Sequence, residues 1–242
     1  MPTGIIINSI AIILGGIIGS KYGRHLSEDL KLKLNLVFAL CAMTIGVSSI
    51  TLMKNMPAVI FAVIIGVIIG VYFKIGERIQ KASMWTQAVL VKTLGIKKNP
   101  VNEEVFSNQM ITLIMIFSMA ATGIYGSLDL GITGDSTILI VKSMLDFFAA
   151  IIFASNLGII VSFIAIPQFL VSMLLFISAQ FIMPLTTVDM INDFKACGGL
   201  ILLSNGFRLA NIKMFPSAEL LPSMALVLPL SYLWAQYILP LL

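Results

Sequence analysis

The run at 57–73, PAVIFAVIIGVIIGVYF, has seventeen residues and no charged side chain. Similar runs recur at 3–20, 34–53, 109–127, 136–154, 158–182, 195–212 and 221–240. A helix crosses the hydrocarbon core of a bilayer with about 20 mostly apolar residues. The pattern predicts an all-α polytopic membrane protein with about eight transmembrane helices. Composition agrees, since only 11% of the 242 residues are charged and 59% are hydrophobic. A soluble domain carries about 25% charged residues, so the polar shell of a water-soluble fold is missing here. The opening MPTGIII lacks a basic n-region, so the first run reads as a retained helix.

The whole chain, 1–242, reads as one transmembrane domain. Its parts are a first three-helix repeat at 1–75, an amphipathic cytoplasmic connector at 76–105, central helices at 106–155 and a second three-helix repeat at 156–242. SNLG at 155–158 is expected as a tight turn between the fifth and sixth helices. Lys and Arg cluster in alternate connections. Lys21, Arg24, Lys31 and Lys33 lie in the first, six more between Lys74 and Lys98 in the third, and Arg208 and Lys213 in the seventh. Lys54 and Lys195 fall in the second and sixth, and Lys142 inside a run. Cytoplasmic connections carry the excess of Lys and Arg. With eight spans, both termini are therefore expected outside a bacterial cytoplasmic (inner) membrane. The third connection mixes basic residues with Trp85, Val89 and Leu94. It reads either as an interfacial helix or as a solvated connector. Ser27 is expected to cap the second helix, with acidic residues in its first turn.

GIIINSIAI at 4–12 and GIIVSFIAI at 158–166 agree at six of nine positions. Phe38 and Cys41 have counterparts in Phe194 and Cys197, and MPAVIFAVII at 56–65 has one in LPSMALVLPL at 221–230. Helices 1–3 thus match helices 6–8 in order but cross in opposite directions, with helices 4–5 between. Inverted repeats of this kind are typical of secondary transporters. Gly15 and Gly19, and Ala58, Ala62, Gly66 and Gly70, recur every fourth residue. Small residues at that spacing let helices approach closely in lipid.

GDSTILIVKSMLDFF, starting at Gly134, brings charges into an apolar run. Steps of seven and four residues return Asp135, Lys142 and Asp146 to nearly one helix face. Asp135 would cap the outer end. Lys142 would lie about 10 Å deeper and Asp146 about 6 Å further, near the midplane. Burying either charge alone costs at least about 2.5–3.5 kcal/mol on insertion scales. One reading is a packing salt bridge. The other is an ion or solute pathway in which Asp146 binds a cation or proton and Lys142 competes for it. Asn8 beside Ser9, Gln168 beside Pro167, and Asn205 beside Ser204 are the companions expected on other helices. No HExxH, G-x-S-x-G or Walker A pattern is present. The chain does not read as an enzyme, and no cofactor, metal or nucleic acid is expected. Cys41 and Cys197 read as packing thiols.

GDSTILIVKSMLD at 134–146, ASNLGIIVSFIAIPQ at 154–168 and CGGLILLSNGFRLANIK at 197–213 resemble the YqgA/YdfK-like family of bacterial membrane proteins, a family of unknown function numbered 554. GIIINSIAIILGGIIG at 4–19 fits it as well. The resemblance implies an inner-membrane protein with a role as a sodium channel or pump and no established substrate. It implies Gly134, Asp135, Lys142 and Asp146 as the polar signature. The expected function is a transporter or channel for a small ion or polar solute (Na+ or H+), acting as a homo-oligomer in the bilayer. The alternative is a non-transporting structural or regulatory membrane protein.

Overall fold

The structure is a computed structural model describing residues 1–25, 27–93, 110, 113, 114, 117, 118 and 120–241. Among these residues every regular element is helical. The helices are α1 (Thr3–Tyr22), α2 (Glu28–Ile50), α3 (Met56–Tyr72), α4 (Ile75–Thr93), α5 (Ala121–Thr133), α6 (Thr137–Leu157), α7 (Ile160–Phe163), α8 (Ala165–Ile182), α9 (Val188–Leu209) and α10 (Pro222–Leu233). Residues 110, 113, 114, 117 and 118 are helical as well.

Among the described residues, five stretches are long and apolar enough to cross a membrane: Thr3–Tyr22, Glu28–Ile50, Thr137–Leu157, Ile160–Leu185 and Pro222–Leu241. A sixth arises if α3 and α4, bent by 57° at their junction, are one span. Three of the eight expected runs, 57–73, 109–127 and 195–212, are not among these stretches. The 57–73 run is the 17-residue α3. The 195–212 run belongs to α9, whose Asp189, Asp193, Lys195 and Arg208 dilute its apolar character. Residues 109, 111, 112, 115, 116 and 119 of the 109–127 run lie outside the described residues, and its far end enters the 13-residue α5.

Local chemistry sets the helix ends. Ser27 accepts the Leu30 N–H at 3.2 Å, and Glu28 and Asp29 occupy the first turn of α2. α2 therefore starts six residues before its apolar run, as expected of a capped helix with acidic residues at its positive end. Gly134 closes α5 at φ +77° with its N–H on the Leu130 carbonyl, a conformation that needs glycine. α6 continues through Asn156 to Leu157, so the turn before α7 is shorter than the expected SNLG. Pro167 lies in the first turn of α8, next to the break at Ile164. Its ring nitrogen cannot donate to the Phe163 carbonyl. Residues 161, 162 and 164 make i→i−3 bonds instead.

The burial pattern is that of a protein in an apolar solvent. On α3 the buried side is Ala58, Val59, Ala62, Gly66 and Gly70, while Ile60, Phe61, Ile64, Ile68 and Val71 are exposed. The side rich in small residues faces protein and the large apolar side faces outward, as lipid contact requires. Gly66 and Gly70 meet Ser223 and Glu219, so α3 runs antiparallel to α10. Gly46 meets Gly199 and Leu203, and Gly206 meets Ala39 and Met43, so α2 runs antiparallel to α9. Gly4, Gly15, Gly19 and Gly23 of the α1 segment meet Leu139, Ala150, Ile151 and Ser155 in turn, so α1 runs parallel to α6. Cys41 and Cys197 are free thiols.

A Cβ on Gly66 would stand 2.6 Å from the backbone nitrogen of Ser223. Gly66→Val should force α3 off α10 and cost about 1–3 kcal/mol. A lower Tm in detergent, beside an unchanged Tm for Ile64→Val on the exposed side, is the expected result.

Candidate functional site

The site forms where α1, α6 and α5 converge. One turn of α6 separates Lys142 from Asp146, so both side chains leave the same face. They form an ion pair and are almost wholly buried, with side-chain exposures of 5% and 8%. The Lys142 ammonium also lies 3.4 Å from the Phe117 carbonyl. Gly123 of α5 makes room for the lysine stem, because a Cβ there would stand 3.1 Å from Lys142 Cε.

α1 completes the site. Its glycines bring its backbone close to α6, and the short Asn8 side chain then reaches the carboxylate. Asn8 Nδ2 donates to Asp146 Oδ2 at 2.7 Å. Lys142 reaches the same oxygen, and Oδ1 accepts no hydrogen bond among the described residues. Asn8 is fully buried, and its Oδ1 has no partner among those residues. The next residue, Ser9, lies 2.7 Å from Gln168 Oε1, and Gln168 Nε2 donates to Ser172 at 3.2 Å. A polar layer thus crosses α6, α1 and α8 inside apolar surroundings.

Of the expected pathway residues, Asp146, Lys142 and Asn8 come together, and Gln168 joins them through Ser9. Asp135 does not share their face, because α6 begins only at Thr137 and the periodicity of 100° per residue stops there. Its Oδ1 accepts the Thr137 N–H at 2.9 Å, and its Oδ2 lies 3.4 Å from Lys195. Hydrogen bonds from the Thr137 side chain and backbone hold this carboxyl below the usual carboxylate range. Asn205 is half-buried on α9 and makes no hydrogen bond among the described residues. Gly15, Gly19, Gly66 and Gly70 are packing positions, as described above.

Two acidic residues escaped the sequence reading. Asp129 falls between the runs at 109–127 and 136–154, yet α5 carries it into the protein, and it pairs with Lys195 at 3.5 Å. Asp193 is fully buried near the start of α9. Its Oδ1 accepts the Lys54 and Asn55 N–H groups at 2.7 and 2.9 Å. Its Oδ2 accepts Asn55 Nδ2 at 2.9 Å and Ser231 Oγ at 2.6 Å. That carboxylate ties the α2–α3 turn to α9 and α10. Only a helical reading of VDMINDFK, which opens α9, could have signalled it.

A helical chain with five or six helices able to cross a bilayer and a charged pair sealed among them is a helical membrane protein. Residues 3–232 match the family described as "Protein of unknown function (DUF554)", and the chain belongs to that family. It is similar to "Uncharacterized protein YqgA" of Escherichia coli (strain K12), with 38% identity over 98% of this chain and 99% of the relative. It is also similar to "Uncharacterized membrane protein YdfK" of Bacillus subtilis (strain 168), with 24% identity over 91% of this chain and 92% of the relative. No solved structure matches the chain.

Removing one partner of a buried ion pair strands the other charge, at a cost of about 3–5 kcal/mol. Lys142→Met and Asp146→Leu should therefore each destabilise strongly, and the double variant should recover most of the loss. Thermal unfolding of all four proteins in detergent measures the cycle.

Proposed function

We propose that the protein is a transporter or channel for a small ion or polar solute, with the Asp146–Lys142–Asn8 cluster as its midplane site. The observation that carries this reading is the Asn8 Oδ1 atom, buried without a partner among the described residues beside a buried carboxylate. A group that served packing alone would be satisfied, because an unpaired buried acceptor costs about 1–3 kcal/mol. The unpartnered amide oxygen, the carboxylate and the Phe117 carbonyl are hard oxygen donors of the kind that hold a cation or a protonated solute. In this reading Lys142 holds the carboxylate in a closed state and yields when the cargo arrives.

The proposed setting is a bacterial inner membrane, crossed eight times, with both termini outside and the chain acting as a homo-oligomer. The antiparallel pairs α2–α9 and α3–α10 support an inverted repeat, since a twofold axis in the membrane plane exchanges antiparallel partners. The α2–α3 turn meeting the start of α9 at Asp193 supports placing both on one side. A second reading, a packing salt bridge in a non-transporting protein, is favoured by the direct Lys142–Asp146 contact.

Flux of Na+, K+ and H+ in proteoliposomes separates the two. Asp146→Asn protein that elutes as the parent does should lose at least about tenfold in flux of one ion, a loss worth about 1.4 kcal/mol. Equal flux of all three ions in parent and variant would sink the transport reading.

For α4 the proposal is an interfacial position. Trp85 is 70% exposed, and Arg78, Lys81, Val89 and Lys92 are exposed with it. The expected result is quenching of Trp85 by lipids brominated near the headgroup, measured in Trp234→Phe protein. Solvent-like emission without quenching would assign α4 to water.

A further inference from the structure

Three charged side chains take no part in the Asp146 site. Asp129 stands in the last turns of α5, Asp135 in the turn after it, and Lys195 on α9. The Lys195 ammonium lies 3.5 Å from Asp129 Oδ1 and 3.4 Å from Asp135 Oδ2. A close charge-assisted N–H···O bond is about 2.7–2.9 Å long, so the ammonium bridges the two carboxylates without closing on either. Two carboxylates around one ammonium leave a net negative charge. The Asp129 side chain is 1% exposed, yet its Oδ2 has no hydrogen-bond partner among the described residues. One turn back on the same face of α5, the Tyr125 side chain is fully buried. The Thr133 hydroxyl lies 3.2 Å from Asp129 Oδ1.

We propose that Asp129, Asp135 and Thr133 form a second cation site, separate from Asp146, and that Lys195 is its tethered competitor. The donors are oxygens, which select hard cations. The departing ammonium carries one positive charge, so a monovalent cation in its place keeps the same charge balance. No cluster of three or more metal-ligating side chains occurs among the described residues, so a caged divalent metal is not the match. The Lys195 side chain is 16% exposed, against 1% for Asp129. When it swings away, an alkali cation takes its place between the carboxylates, and the unpartnered Asp129 oxygen gains a ligand.

The proposal goes beyond the reading of Asp146, and its test is made with that carboxylate removed. Binding of radiolabelled sodium is counted on purified full-length protein carrying Lys142→Met and Asp146→Leu. The expected result is saturable binding that excess lithium competes for and N-methylglucamine does not. Lys195→Met on this background should lower the half-saturating concentration by about tenfold, because a competing charge is gone. Asp129→Asn should abolish the binding, and Asp135→Asn, at an exposed position that fills no core, should weaken it by about tenfold. Absence of saturable binding even with Lys195→Met overturns the proposal. So does an unchanged half-saturation in Asp135→Asn, which decides the matter if Asp129→Asn fails to fold.

Discussion

Helices in lipid gain nothing from hiding apolar surface from one another, so close packing has to hold them together. This chain answers with glycine. Gly4, Gly15 and Gly19 set α1 against α6, Gly46 and Gly199 mark the crossing of α2 and α9, and Gly66 and Gly70 seat α3 on α10. At several of these positions a Cβ would meet backbone atoms of the partner, which cannot rotate away as a side chain can. The large apolar side chains of the same helices point outward, where contact with lipid suits them.

The polar layer depends on that packing. Asn8 has a short side chain, and it reaches the Asp146 carboxylate because the α1 backbone lies close against α6. Lys142 has a long one, and it stays inside because Gly123 offers no side chain to obstruct it. Substitution at a glycine would therefore disturb the charged cluster without touching it. Stability and site geometry are one problem here, since the same contacts set both.

The parts legible in the sequence were those governed by local periodicity. The apolar runs marked α1, α6 and α8, and the four-residue spacing of Lys142 and Asp146 placed them on one face. Ser27 announced the start of α2. Legibility failed where distant partners change the meaning of a charge. α9 begins at Val188, before its apolar run, because Asp193 finds its hydrogen bonds on residues 55 and 231. No window along the chain contains those residues together. α5 extends past Asp129 for the same reason, with Lys195 lying 66 positions ahead. Asp135 misled in the opposite sense, because the helical repeat was extended back past Thr137, where α6 begins.

Three buried carboxylates in this bundle share one chemistry and differ in how fully they are satisfied. Asp193 accepts four hydrogen bonds divided evenly between its oxygens, so nothing remains for a ligand to supply. Such a group holds structure. Asp146 takes both its donors on one oxygen and lies beside an unpartnered amide oxygen. Asp129 keeps an oxygen with no donor among the described residues. In a medium without water, each missing bond is a standing free-energy cost that packing cannot remove. Burial and charge fail to rank these three residues, because all are buried and all are aspartates. The count of unmet oxygens among the described residues ranks them, and it sets Asp193 apart as the clasp.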